Sequence, residues 1–215
     1  MCGVVGLYDQ NGVDKTLVQK LLNESMIRGK HATGIAWVKE NQIHYRVLPK
    51  SADVFDIPDM DTDMVIAHCR YSTSDLEYNQ PIVEGDVAVV HNGVITQSDP
   101  STWENTYNMQ FKTKCDSEIA LKHWDRLVHP LHIEGSMAMI VLDLKHEPAI
   151  NFFRNEQRPL YYSVHDGCYI ITSTADIQKR AGIHDAIQAE CCVNYRLQAN
   201  TLTKETIRAV NEDLQ

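Results

Sequence analysis

The sequence contains no run of apolar residues approaching the ~18 that a membrane-spanning helix needs. Its N-terminus lacks a basic segment followed by a long apolar one, so no signal peptide is read and a cytoplasmic location is expected. Basic residues are in the minority, 20 Lys and Arg against 29 Asp and Glu, giving a net charge of −9. Such a surface is poorly suited to phosphate contacts, so neither direct nucleic-acid binding nor membrane association is expected. CxxC pairs are missing from the six cysteines, and adjacent Cys191 and Cys192 cannot easily both ligate one tetrahedral metal. Neither a metal nor any other cofactor is therefore expected. Repeats and low-complexity linkers are also missing, and 215 residues suit a single core.

What is present is ordinary globular composition, 43% hydrophobic and 23% charged. Residues Cys2 to Tyr8 read as a short apolar strand, with Asn11-Gly12 as a turn. Leucines and a valine at helical spacing predict a helix from Asp14 to Met26, capped by Asp14. Gly34–Val38 and Ile43–Leu48 read as paired strands about Glu40-Asn41, and Met64–Arg70 as a buried strand. Val87–Val90 reads as a strand ending at His91-Asn92-Gly93, and Asp116–Leu127 as a helix. Met137–Leu144, Ile150–Phe153, Leu160–Val164 and Cys168–Thr172 read as strands, followed by a short helix over Thr174–Arg180. Many short strands with helices at the front, middle and end predict an α+β layered fold.

Four clusters carry chemistry. Removal of Met1 before a small residue would leave Cys2 with a thiol and a free α-amine on one residue. That amine, with an ordinary pKa of ~8, can take and return a proton for the thiolate. The bland alternative is a small buried residue at a strand edge. In His91-Asn92-Gly93, a side-chain amide and a glycine N–H could face one developing oxyanion, or the pair could be a simple Asn-Gly turn. In Arg70-Tyr71-Ser72-Thr73, the arginine could grip a carboxylate bidentately, or form a surface ion pair. In Cys115-Asp116-Ser117-Glu118, Asp116 could hold a substrate ammonium, or simply cap a helix.

Taken in order, these clusters form a series: Cys2-Gly3-Val4-Val5-Gly6, then Arg28-Gly29-Lys30-His31-Ala32-Thr33-Gly34, then His68-Cys69-Arg70-Tyr71-Ser72-Thr73. Asn79-Gln80-Pro81, His91-Asn92-Gly93, Asp116-Ser117-Glu118, Gly135-Ser136-Met137-Ala138, Arg158-Pro159-Leu160-Tyr161 and Ser173 follow. The series resembles the class II glutamine amidotransferases, which are N-terminal-nucleophile hydrolases. The Arg-Gly-Lys-His-Ala-Thr-Gly variant is similar to that of small stand-alone phage and bacterial members. The resemblance implies a four-layer αββα sandwich of two mainly antiparallel sheets. It places an amidotransferase domain over residues 2–183 and leaves 184–215 as an extension without assigned role, packed on the same domain.

The resemblance also implies roles. Cys2 matches the nucleophile, with its amine as base acting through water. Asn92 and Gly93 match the oxyanion donors. Arg70 and Thr73 match the grip on the glutamine α-carboxylate, and Asp116 the grip on its α-ammonium. Arg28 and Gly29 match the loop positioning the N-terminal residue. The implied reaction releases glutamate and ammonia through a Cys2 thioester. The ~35 residues beyond the recognisable region fall short of the ~100 of a typical domain, so a separate ammonia-accepting synthase is the expected partner. A homo-oligomer is compatible with the sequence.

Departures from the common pattern are Ser74-Asp75 after Thr73, His31 in place of an acidic residue, Ser173-Thr174 in place of Ser-Glu, and no glycine in the segment before Pro159-Leu160. His31, His68 and His91 read as packing or hydrogen-bonded loop residues rather than bases. Two alternatives stay open: hydrolysis of another amide, and a non-catalytic regulatory subunit that keeps the fold.

Overall fold

A computed structural model describes residues 1–72 and 76–208 of the chain. Its strands are β1 (Gly3–Tyr8), β2 (Ala32–Lys39), β3 (Gln42–Leu48), β4 (Met64–Arg70), β5 (Ile82–Glu84), β6 (Val87–Val94) and β7 (Ser136–Asp143). They continue with β8 (Ala149–Arg154), β9 (Tyr161–His165), β10 (Cys168–Thr172), β11 (Ile187–Gln188), β12 (Val193–Gln198) and β13 (Thr201–Thr206). The helices are α1 (Lys15–Ser25), α2 (Trp103–Tyr107), α3 (Ser117–Asp125) and α4 (Ala175–Arg180).

One sheet runs β11-β9-β10-β1-β4-β2-β3 and the other β13-β12-β8-β7-β6-β5. Neighbouring strands in both are antiparallel. Because side chains alternate along a strand, each central strand feeds two layers. Val4 and Ile66 face Val90, Ile140 and Phe152 between the sheets. Val5, Val65 and Ala67 face Leu21 and Leu22 of α1 and Ile177 of α4. On the far side, Val89, Met139 and Phe153 pack against Ile119 and Leu121 of α3. The result is the four-layer αββα sandwich expected from the resemblance. It explains why β1 and β7 are apolar on both faces rather than alternating with polar residues.

Local chemistry sets the helix ends. Asp14 caps α1 through its side chain, accepting the Thr16 N–H at 2.9 Å. Val18, Leu21 and Leu22 are fully buried, each contributing about 1.5–3 kcal/mol relative to exposure. The predicted helix to Leu127 ends earlier, at Asp125, because the chain turns at Leu127, whose φ is 62°.

The stretch after Ile183 supplies three strands. Tyr195 of β12 lies in the inter-sheet core and stacks on Phe152 with ring centroids 4.8 Å apart. Its hydroxyl accepts the Glu190 N–H. No helix among the described residues is long and apolar enough to cross a membrane.

Candidate active site

Strand alternation assembles the site at one end of the sandwich. On β4 the inter-sheet positions run Met64, Ile66, then His68 and Arg70; on β6 they run Ala88, Val90, then Asn92. Cys2 continues the phase set by Val4. β1 and β4 are adjacent inner strands of one sheet, and β6, second from the edge of the other, packs against both, so these ends meet across the interface.

Cys2 is half-buried, and its backbone N–H donates to Asn92 Oδ1 at 3.2 Å. Its Sγ lies 3.9 Å from the Tyr71 carbonyl oxygen. Arg28 Nε donates to the Cys2 carbonyl at 2.7 Å, which fixes the residue from below. Burial lowers the Arg28 pKa, while Cys2 beside it acts in the opposite direction. Gly29 lies against the end of β4: a Cβ there would collide with the Arg70 carbonyl group. Only glycine lets the Arg28 loop come this close, and His31 N–H then donates to that same carbonyl at 3.0 Å.

His91-Asn92-Gly93 is not a turn, contrary to one reading of the sequence, because β6 runs through it to Val94. Asn92 is buried, and its Nδ2 has no hydrogen-bond partner among the described residues. Gly93 has φ 147°, and a Cβ there would strike the Ser136 carbonyl oxygen. Asp116 does not cap α3 with its side chain, as it could have done. Instead Oδ2 accepts the N–H groups of Ile95 at 2.6 Å and Thr96 at 3.3 Å, tying the exit of β6 to the start of α3. Arg70 Nη1 donates to the Tyr78 carbonyl and to Asn79 Oδ1, both at 2.6 Å. Cys2, Arg70 and Asp116 line one cavity of 690 Å³, together with Tyr78, Thr96 and Lys114, a size suited to a small-molecule ligand. Thr73 and Ser74-Asp75 lie outside the described residues.

His91 and His31 are both tied into the fold by hydrogen bonds. His91 is buried, with Nε2 donating to the Ser136 carbonyl and Nδ1 accepting from Ser117 Oγ, each at 3.0 Å. Both ring nitrogens are used, so no lone pair remains for a proton from substrate. His31 Nδ1 accepts the Ser72 N–H at 2.8 Å, with its ring against Tyr71.

Burial lowers the pKa of His91, takes His68 to about 3 and takes His129 to about 4, from the ordinary 6.5 of a free imidazole. The unfolded chain takes up protons at these rings as pH falls below about 6.5, whereas the folded chain does not. Their contribution to stability is therefore complete above that pH and lost on acidification, at up to about 1.4 kcal/mol per pH unit for each ring. The urea midpoint is expected to fall between about pH 7 and pH 5. A flat profile would contradict the buried neutral assignment.

Sequence reasoning gave no role to three supporting groups. The buried Glu118 carboxylate receives the N–H groups of Lys112 at 2.9 Å and Thr113 at 2.7 Å, shaping the loop before Asp116. Ser173 Oγ accepts the Val4 N–H at 2.9 Å, and Ser136 Oγ accepts that of Val94 at 2.9 Å. All three belong to motifs of the ordered series, but their partners are 5 to 169 residues away in sequence.

The glutamine amidotransferase domain family matches residues 68–178, half of the chain. A glutamine–fructose-6-phosphate aminotransferase (isomerizing) of Geobacillus kaustophilus is 24% identical over 195 residues, 81% of this chain and 32% of that protein. The enzyme of the same name from Staphylococcus aureus strain Mu50 is 28% identical over 198 residues, again 81% of this chain and 32% of that protein. The chain thus spans about a third of the length of the curated relatives it matches. Among solved structures, glutamine phosphoribosylpyrophosphate amidotransferase from B. subtilis superposes with a TM-score of 0.79 at 17% identity. That match covers 95% of this chain and 49% of the other. A glutamine aminotransferase class-II domain protein from Silicibacter pomeroyi gives a TM-score of 0.58 at 10% identity, covering 96% of this chain and all of that one. These structural likenesses speak to the fold.

Proposed function

Because this chain belongs to the glutamine amidotransferase domain family, we propose that it is of the class II, N-terminal-nucleophile form and hydrolyses the side-chain amide of glutamine through Cys2. The observation that carries this reading is the Asn92 side chain. Its oxygen takes the Cys2 N–H and its buried nitrogen has no partner among the described residues, beside a cavity that Cys2 shares with Arg70 and Asp116.

Met1 is 69% exposed, so its removal takes no side chain out of the core. The nitrogen bonded to Asn92 Oδ1 then becomes the α-amine of Cys2, held where it can accept the thiol proton through a water. Glutamine binds with its α-carboxylate toward Arg70 and Thr73 and its α-ammonium toward Asp116. Those opposite charges fix its direction and bring the side-chain amide to Sγ. Thiolate attack moves charge onto the amide oxygen, where Asn92 Nδ2 and the Gly93 N–H donate. The α-ammonium of Cys2 returns its proton to the leaving nitrogen and ammonia departs. Water then cleaves the γ-glutamyl thioester, and glutamate and the free thiol are restored. Arg28 and Gly29 hold the Cys2 backbone through these steps. The ammonia passes to a synthase on a separate protein. Native co-purification of a synthase-type enzyme supports that partner, and consistent recovery of the chain alone counts against it.

Asp116→Asn tests the substrate grip. The amide oxygen can still accept from Ile95 and Thr96, but the charge facing the ammonium is gone. A charge-assisted hydrogen bond is worth about 1.5–3 kcal/mol, so KM for glutamine is expected to rise about 10- to 100-fold with kcat little changed. An unchanged KM would place the ammonium elsewhere.

A further inference from the structure

Two thiols stand apart from the glutamine cavity. Cys191 and Cys192 are consecutive residues in the turn entering β12, both half-buried, with their Sγ atoms 3.0 Å apart. The turn is held from both sides. Cys192 N–H donates to the Arg154 carbonyl and the Cys192 carbonyl accepts from Ile207 N–H, each at 2.9 Å. Arg154 Nε donates to the Ala189 carbonyl at 2.6 Å. Cys192 has φ 60°, a left-handed conformation uncommon for a residue with a side chain. The backbone that brings the sulfurs together is thus fixed by hydrogen bonds rather than left to chance. Cys69 and Cys168 are buried by comparison, and burial pushes both thiols up to about 12.

We propose that Cys191 and Cys192 form a redox-modification site, a vicinal dithiol that closes into a disulfide with low-molecular-weight disulfides and reopens with thiols. In the closing reaction one sulfur attacks the oxidant's S–S bond, giving a mixed disulfide and one molecule of small thiol. The second sulfur then displaces the other small thiol and forms the Cys191–Cys192 bond. Two protein S–H bonds and one S–S bond are exchanged for one protein S–S bond and two S–H bonds, with both electrons passing to the oxidant. The second step is intramolecular between sulfurs already in contact, which favours ring closure over a lasting mixed disulfide.

Adjacent Cα atoms lie ~3.8 Å apart across a trans peptide, closer than the ~4.4–6.8 Å of ordinary disulfides. Strained disulfides are the readily reduced kind, so the pair rests as a dithiol in a reducing environment and closes under oxidation. Burial, the neighbouring Cys192 sulfur and the charge of Glu156 push the Cys191 thiol up to about 11. Closure is therefore expected to quicken as pH rises above neutral.

The test is a thiol map of the full chain, reduced and then treated with oxidised glutathione. It reads mass and does not depend on turnover of glutamine, so its failure leaves the proposed function standing. Trypsin releases both residues in the single peptide 181–196, which contains no other cysteine. After oxidation that peptide is expected to lose two hydrogens and to take up no iodoacetamide, and dithiothreitol is expected to restore both thiols. In Cys192→Ser, the same treatment is expected to leave a glutathione adduct on Cys191. Two alkylatable thiols in wild-type 181–196 after oxidation, or two stable glutathione adducts there, would overturn the proposal.

Discussion

Cys2→Ala is expected to reduce glutamate release from glutamine by at least about 10⁴-fold, the scale of loss when a nucleophile acting with its base is removed. The substitution removes Sγ but leaves the backbone N–H to Asn92 and the carbonyl to Arg28, so the fold and the cavity are retained. Glutamine binding should survive, since the proposed grip on its charged end is Arg70 and Asp116 rather than sulfur. The measurement is a stopped glutamate assay paired with calorimetric binding of glutamine to the variant. Binding without turnover is the expected pair of results. Turnover within tenfold of the parent would move the chemistry away from Cys2.

The second large effect is at Asn92. Asn92→Asp preserves shape and keeps an oxygen for the Cys2 nitrogen, but replaces the Nδ2 donor by an acceptor. Loss of one oxyanion donor typically costs about 10²–10³ in kcat, and a carboxylate facing the developing charge adds repulsion. A drop of at least that size, with KM for glutamine little changed, is expected. Asn92→Ala removes the donor and the Cys2 anchor together, so it should fall at least as far. If Asn92→Asp retained parental kcat, Nδ2 would have no part in stabilising the transition state, and its lack of a hydrogen-bond partner among the described residues would need another cause.

Much of this was legible in the sequence because the informative signals are local. Cys2 at the start, the apolar runs ending at Arg70 and Asn92, and the ordered motifs led to the fold that the comparisons bear out. Where the sequence left a bland local alternative open, tertiary structure overrode it. Asn92-Gly93 has turn composition, yet it pairs with Met137 and Ala138 of β7 and stays in the strand. Asp116 has the composition of a cap, but the Ile95 and Thr96 N–H groups at the end of β6 compete for its carboxylate and win. β12 alternates, with Val193, Tyr195 and Leu197 in the core, but over only six residues, and the edge strand β13 adds only Leu202 against that core, so the apolar signal of this stretch is weak. The thiol pair was visible as two letters, but the 3.0 Å approach depends on a left-handed residue that no composition reveals.

The central claim is that a processed N-terminal Cys2 carries the glutamyl group of glutamine. Its most direct test is the intact mass of the purified chain, acid-quenched during turnover of glutamine and mapped to the N-terminal peptide. The account predicts a chain without Met1 that carries one γ-glutamyl group on Cys2, labile to hydroxylamine as a thioester must be. Turnover by a chain that keeps Met1, or a glutamyl group on any other residue, would contradict it.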